Sequence, residues 1–221
     1  GHRHLNGSSR RPGHPCTAII WMRHWGTVIG RRFARAVSAL LTRAWRVEPY
    51  RFWEHKAQLV RIVSEGADRV LDVGCGPMKY RTFCGSSEYV GIDVLGRPDV
   101  RGSASSLPFR DGAFDAVIAM DVLEHVDEID SAASEFFRVL KRGGRLLLVT
   151  PNALGLGIYD SLADPSHRHR LNWKKAAELL RRTGFGKVHS VTLQLHALPP
   201  LNRRIGSLTF FQQSVCLIAE R

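Results

Sequence analysis

The 221-residue sequence predicts an α/β fold, a largely parallel β-sheet with helices on both faces. Two observations support this. Short apolar runs typical of strands alternate with longer stretches of helical periodicity, and the runs are continuously apolar, as in strands buried on both faces. Ligands bind beyond the carboxyl ends of such strands. We therefore expect the functional residues just after Val73, Val94, Asp121 and Thr150.

Apolar runs bounded by glycine, proline or polar residues predict the strands. In chain order they are Arg69–Val73, Glu88–Val94, a weak Asp99–Ser103, Phe114–Asp121, Arg145–Thr150, Lys187–Leu195 and Phe211–Ala219.

Three helices are predicted between these strands from apolar residues three or four positions apart. They are Tyr50–Glu65, Ile129–Lys141 and Trp173–Thr183. The first has Phe52, Leu59, Ile62 and Val63 as its apolar face, which we expect to pack on the sheet. We expect the second to stop at the Gly143–Gly144 pair and the third at Gly184, because glycine commonly follows the last helical turn.

The composition is that of an ordinary globular protein, with 44% hydrophobic and 24% charged residues. The four cysteines show neither a CxxC pair nor metal-ligand spacing, so we expect a reduced, cytoplasmic protein without a metal site. No apolar run is long enough for a transmembrane helix.

The net charge of +12 is concentrated at the amino-terminal end. Residues 1–49 hold nine arginines and one acidic residue, a net charge of +8. Residues 1–16 are polar and rich in glycine, proline and serine, so we interpret them as a disordered or vector-derived leader. Residues 17–48 form a basic extension, helical over 17–47, and residues 49–221 form the ligand-binding domain.

Three interpretations of the extension are open. Its amphipathic helix packs on its own domain or on a second subunit, lies on an anionic membrane surface, or acts as a targeting leader. The sequence does not indicate the oligomeric state.

The stretch "RVLDVGCGPMKY" contains a glycine-rich turn after the first strand. Gly74 and Gly76 match the first two positions of a dinucleotide fingerprint, but Lys79 occupies the third. Asp72 would repel a diphosphate and suits a ligand with positive charge, such as S-adenosylmethionine with its sulfonium and ammonium groups. Asp93 ends the second strand, where acidic residues bind ribose hydroxyls.

Four segments together resemble successive motifs of the class I S-adenosylmethionine-dependent methyltransferases, of the type 11 group. These are "VLDVGCGPMKY", "YVGIDV", "SSLPFRDGAFDAVIAMDVLEHV" and "EFFRVLKRGGRLLLVTPN". The resemblance covers residues 50–221. It implies a Rossmann-like, seven-stranded sheet whose last strand is antiparallel, and S-adenosylmethionine as cofactor.

The resemblance also implies roles for residues in the first two motifs. Asp72, Gly74 and Gly76 would contact the methionine moiety, and Cys75 would be the small turn residue between the glycines. Asp93 would bind the ribose.

Other residues would surround the adenine and the sulfonium. Val94 would lie beside the adenine, and the segment Ser105, Ser106 and Leu107 would run past its ring. Asp121 and Val122 would lie below the sulfonium. Ser103 stands where the family usually has an acidic residue, so it or the backbone alone would bind the adenine amino group.

The histidine-rich segment "DPSHRHRL" precedes the third predicted helix. Related methyltransferases often place a His or Arg here, at the mouth of the substrate pocket. His167 is therefore our candidate catalytic base if the acceptor is a hydroxyl. The alternative is a solvated loop whose histidines cap the next helix. We expect His125, in the "LEH" turn, to be a structural histidine.

The predicted activity is methyl transfer to a small molecule or to a glycan- or lipid-linked acceptor, at oxygen or nitrogen. One alternative is an RNA methyltransferase that uses the basic amino-terminal arm. Another is a non-catalytic partner subunit that binds S-adenosylmethionine.

Overall fold

A computed structural model describes residues 30–36, 49–85, 88–154, 158, 162–191 and 214–221. The predicted leader and most of the predicted extension lie outside these residues, as do the predicted ends of the sixth strand at Leu195 and the start of the seventh at Phe211.

The described chain alternates between strands and helices. The helices are α1 (residues 30–36), α2 (Pro49–Ser64), α3 (Ile129–Val139) and α4 (Trp173–Thr183). The strands are β1 (Arg69–Val73), β2 (Glu88–Asp93), β3 (Val100–Arg101), β4 (Phe114–Met120), β5 (Leu140–Pro151), β6 (Lys187–Ser190) and β7 (Ser214–Glu220).

The strands form one seven-stranded sheet in the order β3-β2-β1-β4-β5-β7-β6. Pairing is parallel from β3 through β5, and β7 is antiparallel to both β5 and β6. The predicted Rossmann-like sheet with an antiparallel last strand is confirmed. Its register places Val73 opposite both Ile92 and Ala119, so the turns after β1, β2 and β4 meet at one edge.

Helices cover both faces of the sheet. Phe136 of α3 and Leu180 of α4 are fully buried in the core on one face. Leu59, Val60 and Val63 of α2 pack on the other. Each such side chain contributes about 1.5–3 kcal/mol through burial.

One face assignment in α2 was wrong, because Ile62 is 50% exposed. Val60 is fully buried in its place. The helix turns about 100° per residue, so Val63 lies between Leu59 and Val60 on the sheet side, and Ile62 lies beyond Leu59 at the edge of this face.

The predicted end of the second helix was also wrong. Helix α3 ends at Val139, and the Gly143–Gly144 pair lies within β5. The Gly143 N–H donates to the Arg221 carbonyl at 2.8 Å, and the Arg221 N–H donates to the Gly144 carbonyl at 3.0 Å. Pairing with the end of the chain therefore draws the glycines into the sheet.

Helix α4 has the predicted bounds. The Asn172 side chain accepts a hydrogen bond from the Lys175 N–H at its start, and Gly184 adopts a left-handed conformation with φ of 118° at its end. Among the described residues between β1 and β2, turns are followed by one 3₁₀ helix, Arg81–Phe83.

Helix α1 contacts the domain where it is described. The Arg35 Nε atom donates to the Ala163 carbonyl at 3.1 Å. Among the helices in the described part of the chain, none is both long and apolar enough to cross a bilayer.

Candidate active site

The turn after β1 packs against the turn after β4. Gly74 has φ of 69°, and a Cβ atom there would lie 2.3 Å from the Val122 Cγ2 atom. The Gly74 N–H donates to the Ile92 carbonyl at 2.8 Å. Only glycine satisfies both the left-handed backbone and the close approach, so Gly74 and Val122, both predicted site residues, are in direct contact.

Asp93 fixes the glycine-rich turn at the end of β2. Its Oδ2 atom accepts from the Gly76 N–H and its Oδ1 atom from the Leu95 N–H, both at 2.9 Å. Each carboxylate oxygen has further lone-pair capacity for a ribose hydroxyl. Val94 and Leu95 are exposed, and a Cβ atom at Gly76 would meet nothing within 4 Å. This edge therefore offers a carboxylate, two apolar side chains and open space.

Asp72 is buried and accepts a hydrogen bond from the Tyr89 hydroxyl. Burial raises the pKa of Asp72 to about 7, although the Tyr89 hydrogen bond and the Lys79 charge act in the opposite direction. The Asp72 carboxylate thus has a partner inside the protein. Its contact with a methionine moiety stays a prediction.

Cys75 is buried between the turn and β2. A Cβ atom at Gly91 would lie 2.9 Å from its Sγ atom. Burial raises the pKa of the Cys75 thiol to about 12, so the thiol stays protonated at neutral pH. This fits a packing role for a small turn residue.

The predicted adenine segment forms a tight turn after β3. The Ser103 hydroxyl accepts a hydrogen bond from the Ser105 N–H at 3.2 Å. The Ser103 carbonyl accepts a second one from the Ser106 N–H at 3.1 Å. The Leu107 N–H donates to Glu135 Oε2 at 2.6 Å, and the Leu107 side chain is buried. Ser103 therefore shapes this turn, and its contact with adenine stays a prediction.

Asp121 has a left-handed backbone, with φ of 55°. Such a conformation is strained in a non-glycine residue and clusters at functional sites. The Lys56 Nζ atom lies 2.7 Å from Asp121 Oδ2, and the two side chains are 8% and 44% exposed. The sequence analysis missed Lys56, because no local motif marks a lysine in helix α2 as part of this site.

Glu124 is buried in the turn after β4, and its Oε2 atom accepts from the Thr150 hydroxyl at 3.0 Å. Its Oε1 atom is buried without a hydrogen-bond partner among the described residues. Burial, followed by the nearby Asp121 charge, raises the pKa of Glu124 to about 7.

The loop that carries His167 folds back over this turn. The Glu124 carbonyl accepts from the Arg168 N–H at 2.7 Å and from the His169 N–H at 3.3 Å. The rings of His125 and His167 are 4.7 Å apart between centroids. The fold thus brings together two histidines that are 42 positions apart in the sequence.

A chain of hydrogen bonds fixes the His125 tautomer. The Ser166 hydroxyl donates to Asp164 Oδ1 at 2.6 Å and lies 3.0 Å from His125 Nδ1. Hydrogen bonds from Ser166 lower the pKa of Asp164, so this carboxylate is an acceptor. Since Ser166 has one proton and directs it to Asp164, His125 Nδ1 must be the donor, and Nε2 of neutral His125 keeps its lone pair.

His125 thus has the hydrogen-bonded setting of the structural histidine that the sequence predicts. It is exposed, and its ring belongs to a polar chain that ends at Asp164. The His167 side chain is mostly buried, with Nε2 3.9 Å from Asp164 Oδ2. The role of His167 as a base stays a prediction.

These residues fit S-adenosylmethionine. The Asp93 carboxylate has capacity for ribose hydroxyls, the exposed Val94 and Leu95 offer an apolar surface for a base, and the Gly76 backbone opens onto unfilled space. The turn after β4 would then lie at the reactive end of the ligand.

Comparison with known proteins agrees with this assignment. Residues 71–148 match a family model described as a methyltransferase domain. A probable S-adenosylmethionine-dependent methyltransferase of Mycolicibacterium smegmatis is 31% identical over 154 residues, which cover 62% of this chain and 60% of that protein. The botryococcene C-methyltransferase of Botryococcus braunii is 29% identical over 159 residues, which cover 57% of this chain and 41% of that protein.

The fold agrees with the crystal structure of a methyltransferase from Archaeoglobus fulgidus that is described as dependent on S-adenosylmethionine. The TM-score is 0.57 at 21% identity, over 79% of this chain and all of that one. The chain spans only about two fifths to three fifths of the two curated relatives. The sheet order, the glycine-rich turn and these similarities support the assignment of a class I S-adenosylmethionine-dependent methyltransferase.

Proposed function

We propose that the protein transfers a methyl group from S-adenosylmethionine to a hydroxyl oxygen of a small molecule or of a glycan- or lipid-linked acceptor. The observation that carries this proposal is the histidine pair beside Glu124, at the edge of the sheet where the cofactor residues meet. A hydroxyl must lose its proton during methylation, and this cluster holds groups able to manage that proton.

When bound, S-adenosylmethionine supplies a methyl group on a positively charged sulfur, which becomes a neutral thioether on transfer. The chain's own part is to align the acceptor and to exclude water. The acceptor O–H bond breaks, its proton passes to the His125–His167 cluster or to water, and the oxygen forms the new bond to carbon. The lone pair on His125 Nε2 serves this step, directly or through a bound species.

Two other classes of methyl acceptor are alternatives that the test below distinguishes. The second relative is named as a botryococcene C-methyltransferase, which would correspond here to a hydrocarbon acceptor methylated at carbon. The net charge of +8 over residues 1–49 would favour RNA.

Labelled-methyl transfer into fractionated cell extract tests the proposal. We expect label in small molecules or lipids, in a product with the chemical stability of an ether or ester. His125→Ala should lower the rate by about 10²–10⁴-fold, typical of lost acid–base assistance, and leave S-adenosylhomocysteine affinity unchanged. The control is His189→Ala, on exposed strand β6.

Three results would contradict the proposal. Label confined to RNA would favour the nucleic-acid alternative. Label on carbon would favour the hydrocarbon alternative. Tight S-adenosylhomocysteine binding without transfer to any fraction would favour a non-catalytic partner subunit.

A further inference from the structure

We propose that Glu124, His125 and His167 bind a divalent transition-metal ion at the carboxyl end of β4. Each residue offers one ligand atom, a carboxylate oxygen or a ring nitrogen, and these atoms all lie within 4.8 Å of one another. The cysteine spacing alone had predicted no metal site. The ligands come from two distant segments that the fold brings together.

The unsatisfied oxygen of Glu124 points independently to a ligand. The residue is 2% exposed, and its Oε1 atom has no hydrogen-bond partner in the described part of the chain. A buried carboxylate oxygen without a partner is costly. A cation held with the neighbouring histidines would satisfy this oxygen, while Thr150 continues to donate to Oε2.

The surroundings of His125 are those of a metal-binding histidine. Ligating histidines usually donate their second ring N–H to a carboxylate, carbonyl or water, which fixes the tautomer. Here His125 Nδ1 donates to Ser166, which donates in turn to Asp164. Nε2 is left to coordinate.

The ligand types indicate which ions fit. Imidazole nitrogens with one carboxylate suit Zn²⁺, Fe²⁺ and Mn²⁺, whereas Mg²⁺ and Ca²⁺ prefer oxygen ligands. Zinc bonds of about 2.0–2.2 Å would bring the ligand atoms to about 3.4 Å from one another. Since the ligand atoms lie within 4.8 Å of one another, they would have to approach by at most about 1.4 Å, and the exposed His125 ring can move inward.

Three protein ligands leave at least one coordination position open. On the proposed function, this position would take the acceptor oxygen, because metal coordination lowers the pKa of a bound hydroxyl. The acceptor would lose its proton to water or to a nearby base, and the oxygen would take the methyl group. This step rests on the proposed function, whereas binding of the ion does not.

Metal binding can be measured without cofactor or acceptor. The full chain is treated with a chelator, dialysed, and titrated with Zn²⁺, Mn²⁺ or Mg²⁺ in a calorimeter. We expect one Zn²⁺ site of micromolar or tighter affinity that is lost or weakened at least a hundredfold in Glu124→Gln, His125→Ala and His167→Ala. Mg²⁺ should bind at least a hundredfold more weakly than Zn²⁺.

His169→Ala is the matched control, because His169 lies in the same loop and its Nε2 atom is 3.2 Å from the Asp127 carbonyl. It should keep the site intact. Circular dichroism verifies that each variant is folded, and the exposed His125 gives a variant that does not disturb the core.

Absence of a Zn²⁺ site, or a site that all three variants retain, would overturn the proposal. The second result would assign the binding to other histidines of the chain. S-adenosylhomocysteine titration of the same samples separates the two hypotheses. Absent zinc binding in the unmodified chain with intact S-adenosylhomocysteine binding refutes the metal site alone, whereas zinc binding without S-adenosylhomocysteine binding refutes the proposed function alone.

Discussion

The Lys56 ammonium lies 2.7 Å from the Asp121 carboxylate and joins helix α2 to the turn after β4. The backbone of Asp121 is in the left-handed region, so this ion pair supports a strained residue. Because the lysine is buried and the aspartate is about half exposed, the burial of this pair is intermediate between that of a surface salt bridge and that of a fully buried one.

Loss of this ion pair should destabilise the protein. We expect Lys56→Met to lower the free energy of unfolding by about 1–2 kcal/mol, less than for a fully buried pair because solvent screens Asp121. Urea denaturation measures the change. Lys187→Met, which removes an exposed pair with Glu220, should change stability much less than Lys56→Met, because solvent screens both charges. Equal effects of both variants would show that Lys56 has no special role.

Gly74→Ala should be more damaging than an alanine at another left-handed glycine. The new Cβ atom would lie 2.3 Å from Val122 Cγ2, so the turns after β1 and β4 would have to separate. Gly66→Ala is the control, because Gly66 has φ of 71° and open space around it. We expect Gly66→Ala to lower the free energy of unfolding by about 1 kcal/mol, because alanine disfavours the left-handed backbone. Gly74→Ala should lower it by at least twice as much, as measured by thermal unfolding.

Asp93→Ala should weaken S-adenosylhomocysteine binding tenfold or more, the effect of one lost charged hydrogen bond of about 1.5–3 kcal/mol. Isothermal calorimetry measures the affinity. The control is Asp115→Ala at the opposite end of the sheet, where the carboxylate accepts from the Arg69 N–H at 3.0 Å. The control should lose stability and keep affinity. Unchanged affinity in Asp93→Ala would remove Asp93 from the cofactor site.

Asp72 should make stability fall as the pH rises. Burial raises its pKa to about 7 in the folded protein, against 3.8 for an unperturbed aspartate, so between these pH values the folded state binds the extra proton. The free energy of unfolding should therefore decrease from pH 4 to pH 7 by up to about 1.4 kcal/mol per pH unit from this group. Urea denaturation at several pH values should show a shallower slope in Asp72→Asn.

Tyr89→Phe provides the companion test. The Tyr89 hydrogen bond favours the charged form of Asp72, so its removal should raise the Asp72 pKa further. The free energy of unfolding should then continue to decrease with pH above pH 7. A slope identical in wild type and Asp72→Asn would show that other groups dominate.

The sequence predicted the fold best where local signals decide the structure. Strand β1 and helix α4 have their predicted bounds, since β1 is an apolar run that ends at a glycine and α4 lies between Asn172 and Gly184. The end of α3 was misplaced because Gly143 and Gly144 pair with Arg221, 77 or more positions away.

In the candidate site too, residues in local motifs were predictable, whereas contacts between distant parts of the chain were not. The motif residues Gly74, Asp93 and Val122 meet at one edge of the sheet, as expected from strand order. Lys56 and the Asp164–Ser166–His125 chain could not be found in this way. Their contacts depend on how a helix and a loop from distant parts of the chain pack against the turn after β4.

Main-chain hydrogen bonds help to hold the two halves of the histidine cluster in place, because a single carbonyl, that of Glu124, receives the N–H groups of Arg168 and His169. These two bonds do not depend on which side chains the residues carry. The chemistry of the cluster could therefore be exchanged by substitution at positions 124, 125 and 167, and a related enzyme could evolve toward a different acceptor without rebuilding the scaffold.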